Sequence, residues 1–255
     1  MAKTDVEDTK GSKESVLRET VSTILWALVI AFTFRTFLFQ PFHIPSGSML
    51  PGLMKGDYII TSKYSVGYGP YAATPLPFPV KKGRLFEREL KRGDVIVFRP
   101  DGSDKNYIKR IIGFPGDQIQ MQEGRLYVNG VATELTSQGP HDFQIKDRNL
   151  KGEMFDETLP NGAVHKILNS QNNNPLDDTS VQIVPAGYYF MMGDNRDHSL
   201  DSRVPVISGG AGYVPKENII GKAEIVLLSV TNDFELFKPW TWLNVRANRF
   251  FHVID

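Results

Sequence analysis

The stretch VSTILWALVIAFTFRTFLFQ, residues 21–40, carries no charge before Arg35. A membrane-spanning helix needs roughly 20 mostly apolar residues, and this is the one candidate in the chain. Eleven strongly apolar side chains from Val21 to Phe39 favour insertion by about 3–7 kcal/mol, taking roughly 0.3–0.6 kcal/mol each. Arg35 opposes this by about 2.5–3.5 kcal/mol at mid-bilayer, and by less near a helix end, where it can reach the headgroups. Insertion wins by a small margin. A cleaved leader would show a small-residue A-x-A site after the apolar core, but this one runs on into the bulky FTFRTFLFQPF. A buried helix of a soluble domain would show a polar face, which is scarcely present. The stretch therefore reads as a single N-terminal anchor following a tail of residues 1–20. Lys3, Lys10, Lys13 and Arg18 precede it, and after Arg35 no Lys or Arg appears until Lys55. That bias predicts a cytoplasmic tail, with everything after about residue 41 outside.

The remainder, 41–255, reads as β structure. GDYIITSKYSVGYG (56–69), GDVIVFRP (93–100) and YIKRIIGFPGD (107–117) are β-branched runs bounded by Gly, Asp and Pro. Residues 118–133 alternate like a hairpin with Asn129-Gly130 as a turn. GYYFMMGDN (187–195) and IIGKAEIVLLSV (219–230) add two more strands. Residues 136–180 are polar and are expected to be an irregular insertion, with NSQNNNPLDD (169–178) a loop. No long helix is expected in the body, so the fold class is mainly β: a transmembrane helix, then an all-β sandwich or barrel with an inserted polar subdomain. The aromatic segment 234–251 is too interrupted to span a bilayer; it either packs onto the core or lies at a membrane interface.

Lys+Arg and Asp+Glu both number 29, so no net basic charge draws the chain to nucleic acid. The chain has no cysteine, which removes disulfides, thiolate metal sites and a cysteine nucleophile. PSGSMLPGL (45–53) puts two serines in a Pro- and Gly-punctuated turn just after the anchor. A serine needs a general base within hydrogen-bond reach to act as a nucleophile. None of His43, His141, His165, His198 and His252 forms H-E-x-x-H. His198, near Asp194, Asp197 and Asp201, leaves a Ser–His–Asp triad open. The other candidate is Lys109, between Tyr107-Ile108 and Ile111-Ile112. At a reference pKa of about 10.4, roughly one lysine in 2,500 is neutral at pH 7. A working base titrates near about 7–8, and burial among apolar groups can supply the downward shift of about 2–3 units this requires. The residues alone leave both bases possible.

Taken together, PSGSMLPGL, GDYIITSKYSVGYG, RGDVIVFRP, YIKRIIGFPGD and GDNRDHSLDSR resemble, in order, the successive sequence boxes of the type I signal peptidases (leader peptidases). The resemblance covers about residues 37–203 well, the 136–180 insertion poorly and the last segment only in character. It implies that Ser48 is the nucleophile and Lys109 its general base. Ser46 and the Ser48 backbone N–H would hold the oxyanion, at roughly 2.7–4 kcal/mol per donor. Ser199 would orient the lysine amine, and the ion pairs Arg110–Asp194 and Asp201–Arg203 would keep the site's shape. The implied substrate is the signal peptide of a preprotein, bound as an extended strand with small residues at the first and third positions before the scissile bond. Phe42, Ile44, Pro45, Met49, Leu53, Tyr107 and Ile108 would line its pockets, though any of them could equally be core. The implied setting is the bacterial cytoplasmic membrane, single-pass, with the lipid bilayer as partner and neither metal nor organic cofactor.

The chain departs from the family in places. One span stands where Gram-negative members often have two, His198 stands where many relatives have Asn, and no disulfide can form. Other readings are a specialised Ser–Lys processing enzyme, an SOS-type self-cleaving repressor without the expected DNA-binding half, and an inactive β domain that binds exported segments.

Overall fold

The computed structural model describes residues 5–73, 79–80, 82–145, 148–171, 174–231, 233–234 and 238–254. It opens with one helix, α1 (Asp5–Phe37), of which Ser15–Phe37 is long and apolar enough to cross a membrane. Its 23 residues measure about 34 Å at 1.5 Å per residue, against roughly 30 Å of hydrocarbon. The boundaries differ from the expected 21–40. Helix continues back into the charged tail, and it stops at Phe37 because Phe39 already belongs to a strand. The junction is fastened by Tyr68 Oη, which donates to Phe37 O at 2.7 Å, and by Lys63 N, which donates to Leu38 O.

The body is mainly β, with every named strand pair antiparallel. In chain order its strands begin with β1 (Phe39–His43), β2 (Asp57–Ser62), β3 (Val95–Phe98) and β4 (Tyr107–Gly113). A small sheet follows, from β5 (Gln118–Gln122), β6 (Arg125–Val128) and β7 (Val131–Ala132). Next come β8 (Glu134–Ile145), β9 (Arg148–Thr158) and β10 (Val164–Asn169), then β11 (Gln182–Ile183), β12 (Tyr188–Met192), β13 (Val214–Pro215), β14 (Ile219–Ser229) and β15 (His252–Val253). The main sheet runs β1-β2-β14-β3-β4-β12-β13, with β15 on the side of β14, and β11 joins the small sheet beside β5.

Strand β3 shows why the sheet is double-faced. Successive side chains point to opposite sides of a strand, and all four of its residues are buried. Ile96 and Phe98 pack with Val66, Ile111 and Met191, while Val95 and Val97 pack with Ile44, Met49, Leu53 and Ile59. A third core, around Ile112, Leu126 and Phe190, lies under the small sheet.

One expectation needs correction. The insertion is not irregular: β8, β9 and β10 form their own three-stranded sheet. It lacks an apolar signature because polar groups link its strands, as in Ser137 Oγ to Glu153 Oε1 and Lys166 Nζ to Asp156 Oδ1. Pro140 is tolerated because β8 is an edge strand. The stretch after Asn169, expected as loop, is one where described. In the C-terminal segment, left open between core and membrane interface, Trp240, Trp242, Leu243 and Phe251 are exposed. Arginines hold this segment. Arg249 pairs with fully buried Asp57 at 2.6 Å, and Arg246 donates to Val230 O at 2.7 Å.

Candidate active site

The turn that follows β1 is built by its own apolar residues. Ile44, Met49 and Leu53 are buried in the core beside β3, and Leu50 N and Leu53 N close short turns onto Gly47 O and Met49 O. The serines between these anchors therefore face outward. Ser46 is exposed and Ser48 half-buried, with their hydroxyl oxygens 3.4 Å apart.

Lys109 comes from β4 and is only 4% exposed. Its Nζ donates to Ser48 Oγ at 2.7 Å. Burial lowers its pKa from the usual 10.5 to about 8, against the pull of the Asp201 and Asp194 charges. A lysine tuned in this way spends part of its time neutral near pH 7–8, and only the neutral amine can take a proton from a hydroxyl.

The third wall is the segment 193–203. Asp194 receives Arg110 in a two-pronged pair, Nε to Oδ1 at 2.8 Å and Nη2 to Oδ2 at 2.7 Å, and Arg110 Nη1 also donates to Gly93 O. Asp201 is paired in the same manner with Arg203, at 3.0 and 2.8 Å, and accepts from Gly193 N at 3.0 Å. Burial alone would raise the Asp201 pKa, but Arg203 and the Gly193 N–H hold it below the ordinary carboxylate value. Both ion pairs expected from the sequence are thus formed, and both are buried.

Several expectations change. Ser199 is buried as required, yet its Oγ makes no hydrogen bond, so the expected contact with the lysine amine is absent. The Lys109 amine is instead directed at Ser48 Oγ. Ser199 lies over Gly193, where an added Cβ would fall 2.2 Å from Ser199 Oγ and 2.5 Å from Ser48 O. Only glycine lets the three approach. His198 is exposed, and the hydrogen bond to Ser48 Oγ comes from Lys109, so the alternative histidine triad is not assembled. Among the expected pocket residues, Ile44, Met49 and Leu53 are no more than 2% exposed and offer a ligand almost no surface. Phe42 and Ile108 are half-buried on the same core, Tyr107 is half-buried against another, and Pro45 is exposed. Met49 and Leu53 do line a cavity of about 320 Å³ behind the turn, shared with Arg110, His165 and Asp194. No group of three or more metal-ligating side chains occurs among the described residues.

Asn195, which sequence reasoning overlooked, holds the nucleophile's turn. Its N donates to Ser48 O at 3.2 Å and its Nδ2 to Gly47 O at 2.9 Å. It lies within the GDNRDHSLDSR box, so the signal was at hand.

The likeness to known proteins spans most of the chain. The family model described as signal peptidase, peptidase S26, matches residues 17–228. The chain belongs to this family. It is accordingly a serine peptidase, a hydrolase. Signal peptidase I of Rickettsia felis is 38% identical over 265 residues, covering 96% of each chain, and that of Rickettsia typhi is 38% identical over 264 residues with the same coverage. A crystal structure of signal peptidase I from Enterococcus faecalis shares 25% identity over 53% of this chain and 97% of its own, with a TM-score of 0.31.

Proposed function

We propose that this peptidase cleaves signal peptides from exported preproteins with a Ser48–Lys109 dyad. The observation that carries the reading is the 2.7 Å hydrogen bond from a buried, downshifted lysine to a half-buried serine. With a pKa of about 8, roughly one amine in ten is neutral at pH 7, about 200-fold more than for an ordinary lysine. Neutral Lys109 takes the Ser48 proton as Oγ attacks the scissile carbonyl. The Ser48 N–H and the Ser46 hydroxyl stabilise the oxyanion. The protonated amine then passes its proton to the leaving amine, and the neutral lysine activates water to release the acyl group. Ser199 serves as the lysine's orienting hydroxyl once substrate is bound, since catalytic contacts often tighten only in the complex.

The substrate lies extended, with small residues at the first and third positions before the bond, against Phe42, Pro45, Tyr107 and Ile108; Ile44, Met49 and Leu53 form the floor beneath. Backbone pairing of this kind suits a β body. Ser15–Phe37 anchors the enzyme in a bacterial cytoplasmic membrane, with the residues before it inside and the β body outside. No nucleic acid, metal or organic cofactor takes part. The test is cleavage of an A-x-A preprotein in detergent by wild type, Ser48→Ala, Lys109→Ala and His198→Ala across pH. Loss with the first two and survival of the third is expected. Continued cleavage by Lys109→Ala would refute the dyad.

A further inference from the structure

The inserted sheet carries a buried polar cluster that the mechanism above does not use. Glu157 on β9 is fully buried and pairs through both oxygens with Arg196, Oε1 to Nη1 at 3.1 Å and Oε2 to Nη2. Thr133 Oγ1 donates to the same Oε1 at 3.0 Å. His165 on β10 places Nε2 3.3 Å from Glu157 Oε2 and 4.0 Å from Asp194 Oδ1. It therefore stands between this pair and the Arg110–Asp194 pair of the site. The backbone reinforces the link. Leu168 N donates to Asp194 O and Arg196 N to Leu168 O, so Asn195 is bridged in parallel to Leu168. The catalytic loop thus meets edge strand β10 through one isolated bridge.

From Arg196 the connection reaches both reacting groups within a few bonds. Asn195 holds Ser48 O and Gly47 O. Arg203 Nη2 donates to Arg196 O, and Arg203 in turn fixes Asp201, one of the two carboxylates whose charge acts on Lys109. Stability alone does not explain such a cluster. Apolar side chains of similar volume often replace a buried ion pair without loss. What a two-pronged arginine adds is a defined orientation.

We propose that Glu157 and His165 are positioning residues for the peptidase reaction, setting the placement of Ser48 and Lys109 through Arg196 and the 194–196 backbone. On this view the insertion is part of the catalytic apparatus. The inference rests on the Ser48–Lys109 reading above.

The test uses the full chain in detergent, with Glu157→Gln, Glu157→Asp, His165→Gln and Lys109→Ala. For each, kcat and KM for an A-x-A preprotein are followed from pH 6 to 10 beside the thermal midpoint. Glu157→Gln is expected to lower kcat at least tenfold with KM within twofold. Its acid limb should shift to higher pH, because a loosened loop admits water to Lys109 and relaxes its pKa toward 10.5. Glu157→Asp should recover part of both effects, and His165→Gln should show a weaker form of them. If Glu157→Gln does not fold, the double variant Glu157→Leu/Arg196→Met supplies an apolar pair of similar size; it should fold and remain impaired. Wild-type kcat and acid limb in a folded variant, with only the midpoint altered, overturns the inference while leaving Lys109→Ala inactive. Cleavage by Lys109→Ala would instead overturn the dyad reading and this inference with it.

Discussion

Replacing Lys109 with Met should abolish cleavage and, at the same time, stabilise the protein. The amine's pKa falls from 10.5 unfolded to about 8 folded. A shift of that size means that the folded state disfavours the charged amine by about 3 kcal/mol, at 1.36 kcal/mol per unit. Methionine has similar length, no charge and a flexible thioether suited to an apolar slot. It forfeits one charge-assisted hydrogen bond, to the Ser48 hydroxyl, worth about 1.5–3 kcal/mol gross. That bond favours the charged form and offsets part of the gain. A net gain of up to about 2 kcal/mol remains at pH 7, at roughly 2–4 °C in thermal midpoint per kcal/mol for a body of this size.

The sign can be checked with pH. Between pH 8 and 10.5 the unfolded chain holds the lysine proton and the folded chain does not. Stability of the wild type therefore rises with pH across that window. Lys109→Met lacks this rise, so the two melting curves should converge as pH approaches 10. Differential scanning calorimetry in detergent at pH 7, 8.5 and 10 is the assay. A variant that is less stable at pH 7, or more stable by the same amount at every pH, would refute the claim that burial strains this lysine.

The other predictions concern single contacts. Ser199→Ala removes a hydroxyl that makes no hydrogen bond, so unfolding should be unchanged or favourable by up to about 1 kcal/mol, while kcat falls if the hydroxyl orients Lys109 during turnover. Gly193→Ala forces a methyl group against Ser199 Oγ and Ser48 O; a displacement of about 1 Å at the nucleophile costs on the order of 100-fold in kcat, measurable by single-turnover cleavage. Arg249→Ala leaves fully buried Asp57 without its guanidinium and should cost about 3–5 kcal/mol in urea unfolding. Burial and the Arg110 charge hold His165 below its ordinary pKa of 6.5, so the unfolded chain protonates first and stability declines as pH falls below about 6.5. His165→Gln should delay that decline until carboxylates such as Glu157, held down by Arg196 despite its burial, begin to protonate below their unfolded values.

What was legible in the sequence is what local pattern encodes. β-branched runs between turn residues located β2, β3, β4 and β14, and Pro45 and Gly47 marked the turn bearing Ser48. The pairing of Ser48 with Lys109 spans 61 positions; no periodicity encodes such a contact, and it was reached only because five segments in order resembled one family. Apolar residues read alike whether they line a pocket or fill a core. The resemblance implies substrate contact for Met49 and Leu53, whereas their burial anchors the turn that carries Ser46 and Ser48. The insertion hid itself for the opposite reason. Strands joined by Ser, Glu, Asp and Lys side chains lack the alternation that betrays a half-buried strand. Glu157 and His165 fall within that polar stretch, and both are buried. A buried charge must be paired to be tolerated, and its partner here, Arg196, lies inside the very box that carries the resemblance. An arginine in a catalytic box with no assigned acidic partner is thus itself a signal to search the polar segments for one. That step would have brought Glu157, and with it the inserted sheet, to the catalytic loop.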